Sequence, residues 1–222
     1  MSVQAMKERV CRMLVSPIAG LLRRYRADVQ GAAAVEFGFI LPLMFLLFVG
    51  AVELSQAVTV DRRVTLAASS VADLVAREEK KISLTEIADI MKIGGYIIAP
   101  YSQTPLQVTV RNVSSSAADA GKTKVSWQCT YAAGKTTPQC ECKNEAYPLP
   151  TGLVAKNDSV VVVDADYTYT PLVFDYFLKK TMDPGAGGPG TYTLSERIFM
   201  KPRGQAAKLK QQSGEECPSP TY

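Results

Sequence analysis

One carboxylate stands inside an apolar run: Glu36 lies five residues after Gly31 in GAAAVEFGFILPLMFLLFVGAV, and no other charge occurs before Glu53. A charge at the centre of a membrane helix costs roughly 2.5–3.5 kcal/mol on translocon scales and less near the interface, so such a residue needs a partner and marks function by default. An α-amino group on Ala32, were the chain to begin there, would be largely protonated at neutral pH. Ala32 and Glu36 are four residues apart and share one helical face. Such an amine can therefore neutralise the carboxylate within the helix. Gly31 has no side chain and is conformationally permissive, which suits an extended backbone offered to a protease. Ala32, Ala33 and Ala34 leave that edge uncluttered.

Other chemistry-bearing patterns are sparse. The chain has no histidine, the commonest general base and metal ligand near neutral pH. No nucleophile–base constellation stands out, so the expectation is a non-enzyme with no cofactor, no metal and no small-molecule substrate. GAGGPG lacks the Lys-Ser/Thr of a phosphate loop and reads as a turn. Asp164 and Asp166 alternate along a strand, which puts both on one face without a fuller calcium-loop pattern. Of the five cysteines, Cys11 precedes the apolar run while Cys129, Cys140, Cys142 and Cys217 lie beyond it. Four cysteines in an oxidising compartment point to two disulfides. A Cys140–Cys142 bridge would close a very tight loop, so Cys129 is expected to pair with one of the two and Cys217 with the other. A four-cysteine zinc site is disfavoured because one residue, rather than two to four, separates Cys140 from Cys142.

The element that must carry Glu36 is a helix. Ala32 to Val52 would span about 31 Å at ~1.5 Å per residue, close to the ~30 Å hydrocarbon layer. Apolar residues on every side of the cylinder argue for lipid rather than a half-buried helix. Pro42 should kink it near Phe39 to Pro42. The formal net charge is +4, and residues 1–30 hold the whole excess, with six cations against two anions. The remainder is formally neutral, which argues against a nucleic-acid-binding face. Arg23, Arg24 and Arg26 just before the span place the N-terminus in the cytoplasm by the positive-inside rule. A cleaved signal peptide ending near Val49-Gly50-Ala51 is the rival reading, but its basic region would be unusually long and Glu36 would interrupt its apolar core.

The string GAAAVEFGFILPLMFLLFVGAVELSQAVTVDRR, with the basic stretch RRYRADVQ ahead of it, resembles the N-terminal signature of TadE-like proteins of tight-adherence (Flp) pilus assembly. The resemblance spans about residues 31–75 and is weaker beyond, where ADYTYTP and LSERIFMKPR carry it. It implies a prepilin-type processing site, with Gly31 and Ala32 flanking the scissile bond and Glu36 and Phe37 in the assembly motif, and it implies pairing of the Ala32 amine with Glu36 of a neighbouring subunit as the alternative to pairing within one helix. It also implies a minor-pilin-like subunit with a prepilin peptidase and other pilus subunits as partners. The location implied is the bacterial inner membrane, single-pass, with the C-terminal domain periplasmic. The D-x-S-x-S metal motif of larger TadG-like relatives does not occur. A second reading, from a different class, is an unprocessed membrane-anchored binding module of the envelope.

Length and pattern set the remaining architecture. The 222 residues leave room for one span and one ordinary domain. Val60, Val64, Ala67, Val71 and Leu74 recur at helical steps and form one apolar stripe. AREEKK, 76–81, marks that helix's solvated end. SLTEIADIMKIGG predicts a second helix with a capping box, Ser83 and Glu86, and an exit at Gly94-Gly95. LQVTVRNV, KVSWQCTY, SVVVVDADYTYT and YTLSERIFM predict four strands, and PLVFDYFLKK a short helix. The fold class expected is α+β and pilin-like: a basic leader (1–31), a transmembrane helix (32–52), an amphipathic helical region (53–95) and a small external antiparallel β-sheet domain (96–222).

Overall fold

A computed structural model of the chain describes residues 30–79, 81–132, 134–135, 137–171, 191–204, 208–211 and 214–222. The basic leader with Arg23, Arg24, Arg26 and Cys11, the short helix expected over PLVFDYFLKK beyond Pro171, and the turn DPGAGGPG lie outside the described residues. The chain divides into two units, Met1–Val52 and Glu53–Tyr222, and helix α1 (Gln30–Arg77) contributes to both.

In the first unit, the large apolar side chains from Val35 to Phe48 are exposed, Phe39 at 81%. Apolar surface uncovered on all sides of a helix is the pattern of a segment whose solvent is lipid. By length and composition α1 is the one helix among the described residues able to cross a membrane. Pro42 lies inside it, and the helix continues through it. Having no N–H, Pro42 leaves one helical carbonyl without its usual donor, which membrane helices accommodate.

In the second unit α1 is amphipathic. Val60, Val64, Ala67 and Val71 are fully buried, and the stripe continues through Val75, while Leu74 is only partly buried. The stripe is built from valine and alanine because other elements come close to it. Helix α2 (Leu84–Ile98) is one of them, and it starts where the sequence predicts: Ser83 is the N-cap, Glu86 N–H donates to Ser83 Oγ at 3.2 Å, and Ser83 N–H donates back to Glu86 Oε2 at 2.8 Å.

The exit of α2 differs from the expectation, since the helix runs past Gly94-Gly95 to Ile98. A Cβ on Gly94 would lie 3.3 Å from Val71 Cγ2 on α1 and 3.7 Å from Val108 Cγ2 on the sheet. The glycine therefore permits a close three-way approach rather than ending the helix. The helix gives way to Ala99 and Pro100, and Arg63 of α1 donates to the carbonyl oxygens of Ile97 and Ala99. A guanidinium at the carbonyl end of α2 both fills open acceptors and opposes the helix dipole. Arg63 also lies over the Tyr101 ring.

The sheet contains the four predicted strands and one more. Its order is β4 (Gln139–Cys142), β3 (Thr123–Ala132), β2 (Leu106–Ser115), β5 (Ser159–Tyr169), β6 (Tyr192–Met200), all neighbours antiparallel. Period-two alternation sorts its faces. Leu106, Val108, Val110, Trp127, Cys129, Val161, Val163 and Ala165 join the core that includes the buried stripe of α1 and residues of α2. On the opposite face Val113, Val125, Val160 and Val162 form a smaller cluster, which Tyr147, Leu149 and Val154 of the segment between β4 and β5 help to cover. A separate two-stranded parallel ribbon, β1 (Lys81–Ser83) with β7 (Lys208–Lys210), buries Ile82 beside Leu209. The architecture is α+β, a long N-terminal apolar helix followed by a small antiparallel sheet domain.

Candidate processing and assembly site

Gly31 lies in the first turn of α1, one residue after Gln30, and is exposed, with no atom within 4 Å of a Cβ built on it. The bond to Ala32 thus has helical rather than extended backbone. First-turn N–H groups have no intrahelical acceptor, and glycine costs ~1 kcal/mol of helix propensity relative to alanine, so this turn is the easiest part of α1 to open. Glu36 and Phe37 are both exposed on the next turn, Phe37 at 64%. Helical register sets Ala32 and Glu36 on one face.

Further along, the exposed apolar helix gives way to the stripe Ala57, Val60, Val64, Ala67 and Val71, which is buried against the domain. Residues 31–73 match the family model described as TadE-like protein. The TadE-like match covers α1 alone, from Gly31 to Asp73, and includes none of the sheet. No curated protein and no solved structure matches the chain.

Outside the TadE-like segment, the structure joins Cys129 to Cys140 and Cys142 to Cys217. Cys140 and Cys142 stand two apart on edge strand β4, so both sulfurs point to one face. Cys140 is the direct cross-strand partner of Cys129, while Cys142 holds the C-terminal segment. With all four sulfurs in disulfides, they are not thiolates for a zinc ion. Asp164 likewise has ordinary partners: it accepts from Arg197 Nε at 2.6 Å and from Arg111, while Asp166 accepts from Ser195. Among the described residues no group of three or more His, Cys, Asp or Glu side chains could hold a metal ion.

Three of the carboxylates whose titration is shifted by ion pairs lie where separate segments of the domain meet. The Lys201 ammonium, 2.7 Å from Asp158, holds that carboxyl below its ordinary value, and Lys81 does the same for Glu216. Arg77 and then Arg203 lower Asp73 near the end of α1, where Arg203 N–H also donates to the Ala76 carbonyl at 3.0 Å.

Proposed function

We propose that this chain is a TadE-like, minor-pilin-like structural and assembly subunit of a tight-adherence type IV pilus system. It is inserted into the bacterial inner membrane with its N-terminus in the cytoplasm and its disulfide-bonded domain in the periplasm. A prepilin peptidase cuts it after Gly31, and the freed Ala32 amine pairs with Glu36 of the same helix or of a neighbouring pilus subunit. The observation that carries this reading is the coincidence of the family match at 31–73 with one helix whose first part is exposed and apolar and whose second part is built into a domain core.

Two substitutions separate recognition by the protease from assembly. Glu36→Gln keeps the shape and removes the charge, so the protein is expected to be inserted and cut but lost from pilus complexes. Gly31→Leu is expected to remain at precursor length. Gel mobility and co-purification with pilus subunits from a pilus-producing cell read both outcomes. A mature N-terminus near Val52, found by sequencing the envelope-extracted protein, would instead identify a signal peptide and end this reading.

A further inference from the structure

The first two turns of α1 in the second unit bury one side and leave the other apolar and uncovered. Glu53, Ala57 and Val60 are buried, whereas Leu54 is 67% and Val58 43% exposed. Leu54, Val58 and Arg62 recur every four residues and share this outward face, and the exposed Arg62 is the first charge in that row. Leu54 and Val58 lie within about 8 Å of axial rise from Glu53, at ~1.5 Å per residue, close to the depth of one headgroup layer, about 5–8 Å. Helical side chains lean toward the N-terminus of their helix, so Arg62 reaches back toward the Glu53 end.

The rim of the sheet beside this stretch has the composition of a membrane boundary. Tyr169 and Tyr192 face each other across the ends of β5 and β6, with ring centroids 5.4 Å apart. Tyr192 is 43% exposed and stands beside the start of the domain's helix: burial raises its phenol above the ordinary value, and the nearby Glu53 and Asp61 carboxylates add to the rise. Tyrosine is enriched where hydrocarbon meets water, because its ring is apolar and its hydroxyl is wet. The described loop residues at this end of the sheet, 99–105, 134–135, 137–138, 170–171 and 191, hold one charge, Lys135, and no carboxylate. Those at the opposite end hold Asp119, Glu145 and Asp158. A surface of anionic lipid attracts cations and repels carboxylates, so the two ends are not equivalent before a membrane.

We propose that the Tyr192 rim of the external domain is seated in the lipid headgroup layer, with Leu54 and Val58 facing lipid and Tyr192 and Arg62 among the headgroup phosphates. Continuity selects lipid as the partner, since the outward apolar face resumes at Leu54, two residues after the apolar run ends at Val52. The inference rests on the membrane reading above and goes beyond it by assigning the end of the domain that touches the bilayer.

The full-length protein is reconstituted in nanodiscs of phosphatidylethanolamine with a minority of phosphatidylglycerol. Cys11→Ser leaves the other four cysteines in disulfides, so a single introduced cysteine carries the fluorophore. Nitroxides on the lipid headgroups quench the labels they reach. Labels placed through Leu54→Cys and Thr193→Cys are expected to lose most of their emission, while one placed through Ala118→Cys, in the loop at the opposite end of the sheet, keeps it. A label placed through Leu46→Cys, read with nitroxides at mid-chain, tests the span separately. Quenching of the Leu46 label with none of the Thr193 label overturns this proposal and leaves the membrane reading standing; no quenching of the Leu46 label ends both. Equal quenching of the Thr193 and Ala118 labels describes a domain lying on its side and also overturns the proposal. Arg62→Glu, an exposed change that sets a carboxylate against the phosphates, should reduce the loss at the Thr193 label without altering the thermal midpoint. A loss retained in full in that variant would show that the helix alone fixes the domain, and would overturn the headgroup contact.

Discussion

Asp158 shows how one side chain joins several parts of the external domain. Its backbone N–H donates to Ser115 Oγ at 3.0 Å, its carboxylate accepts from Ser159 N–H at 2.8 Å, and Lys201 beyond β6 closes the pair. Because Lys201 lowers the folded-state pKa, the carboxylate stabilises the fold fully above the unfolded value of 3.8, and this contribution is lost as pH falls through the lower folded value. Glu216, lowered by Lys81, acts in the same direction from its own ordinary value of 4.5. Thermal midpoints of the full-length protein should therefore stay level from neutral pH down to about pH 5 and fall below it. Asp158→Asn should reduce that acid-induced fall, and an unchanged acid limb would show that other carboxylates control it. At this scale the sequence displayed chemistry unevenly. Glu36 is conspicuous because it interrupts an uncharged run, whereas Asp164 looks equally available in SVVVVDADYTYT. Its partners Arg111 and Arg197 are 53 and 33 residues away, joined only by strand pairing.

Helices and strands were legible where their signal is local. The capping box at Ser83 and Glu86 fixed the start of α2, and the valine-alanine stripe located the buried face of α1. Gly94-Gly95 misled, because a glycine pair reads as an exit whether the reason is backbone freedom or lack of room. The two causes make opposite predictions for substitution. If Gly94 served as a C-cap, alanine there would cost through backbone strain; inside a helix, alanine recovers ~1 kcal/mol of propensity against a modest contact with Val71 Cγ2. Gly94→Ala should therefore stay within about 1 kcal/mol of the parent, while Gly94→Val, with two more methyl groups between α1 and β2, should cost about 1–3 kcal/mol. Chemical denaturation of the full-length protein measures both. The short strands escaped for a further reason. KIS and KLK each offer one apolar residue, Ile82 or Leu209, and pair over more than a hundred residues, so neither segment carries a periodic pattern of its own. QCEC in β4 was hidden in the same way inside a proline- and cysteine-containing segment.

Across the whole molecule, long-range closure falls to the two disulfides, and they are unequal. Cys129–Cys140 links residues 11 apart that already face each other across β3 and β4. Cys142–Cys217 spans 75 residues and fastens the C-terminal segment to an edge strand far from it in sequence. The pairing could be narrowed from sequence to two alternatives, because either Cys140 or Cys142 could take Cys129; strand register chooses, setting Cys140 opposite Cys129 and Cys142 opposite Trp127. In the chain-entropy model a loop of that longer size is worth about 4.5 kcal/mol and the shorter one about 3 kcal/mol. The longer bridge also supports the β1–β7 ribbon, since Cys217 N–H donates to the Leu209 carbonyl at 2.9 Å. Replacing Cys142 and Cys217 together by alanine should therefore destabilise the external domain more than replacing Cys129 and Cys140 together. It should also expose the segment after Cys217 to carboxypeptidase, whereas loss of the shorter bridge should leave that segment protected. Thermal melts and timed carboxypeptidase digestion of the two double variants distinguish these outcomes. Equal destabilisation with equal protection would mean that the C-terminal segment is held by Lys124, Asn144 and Tyr222 alone, and that the longer bridge contributes little to closing the domain.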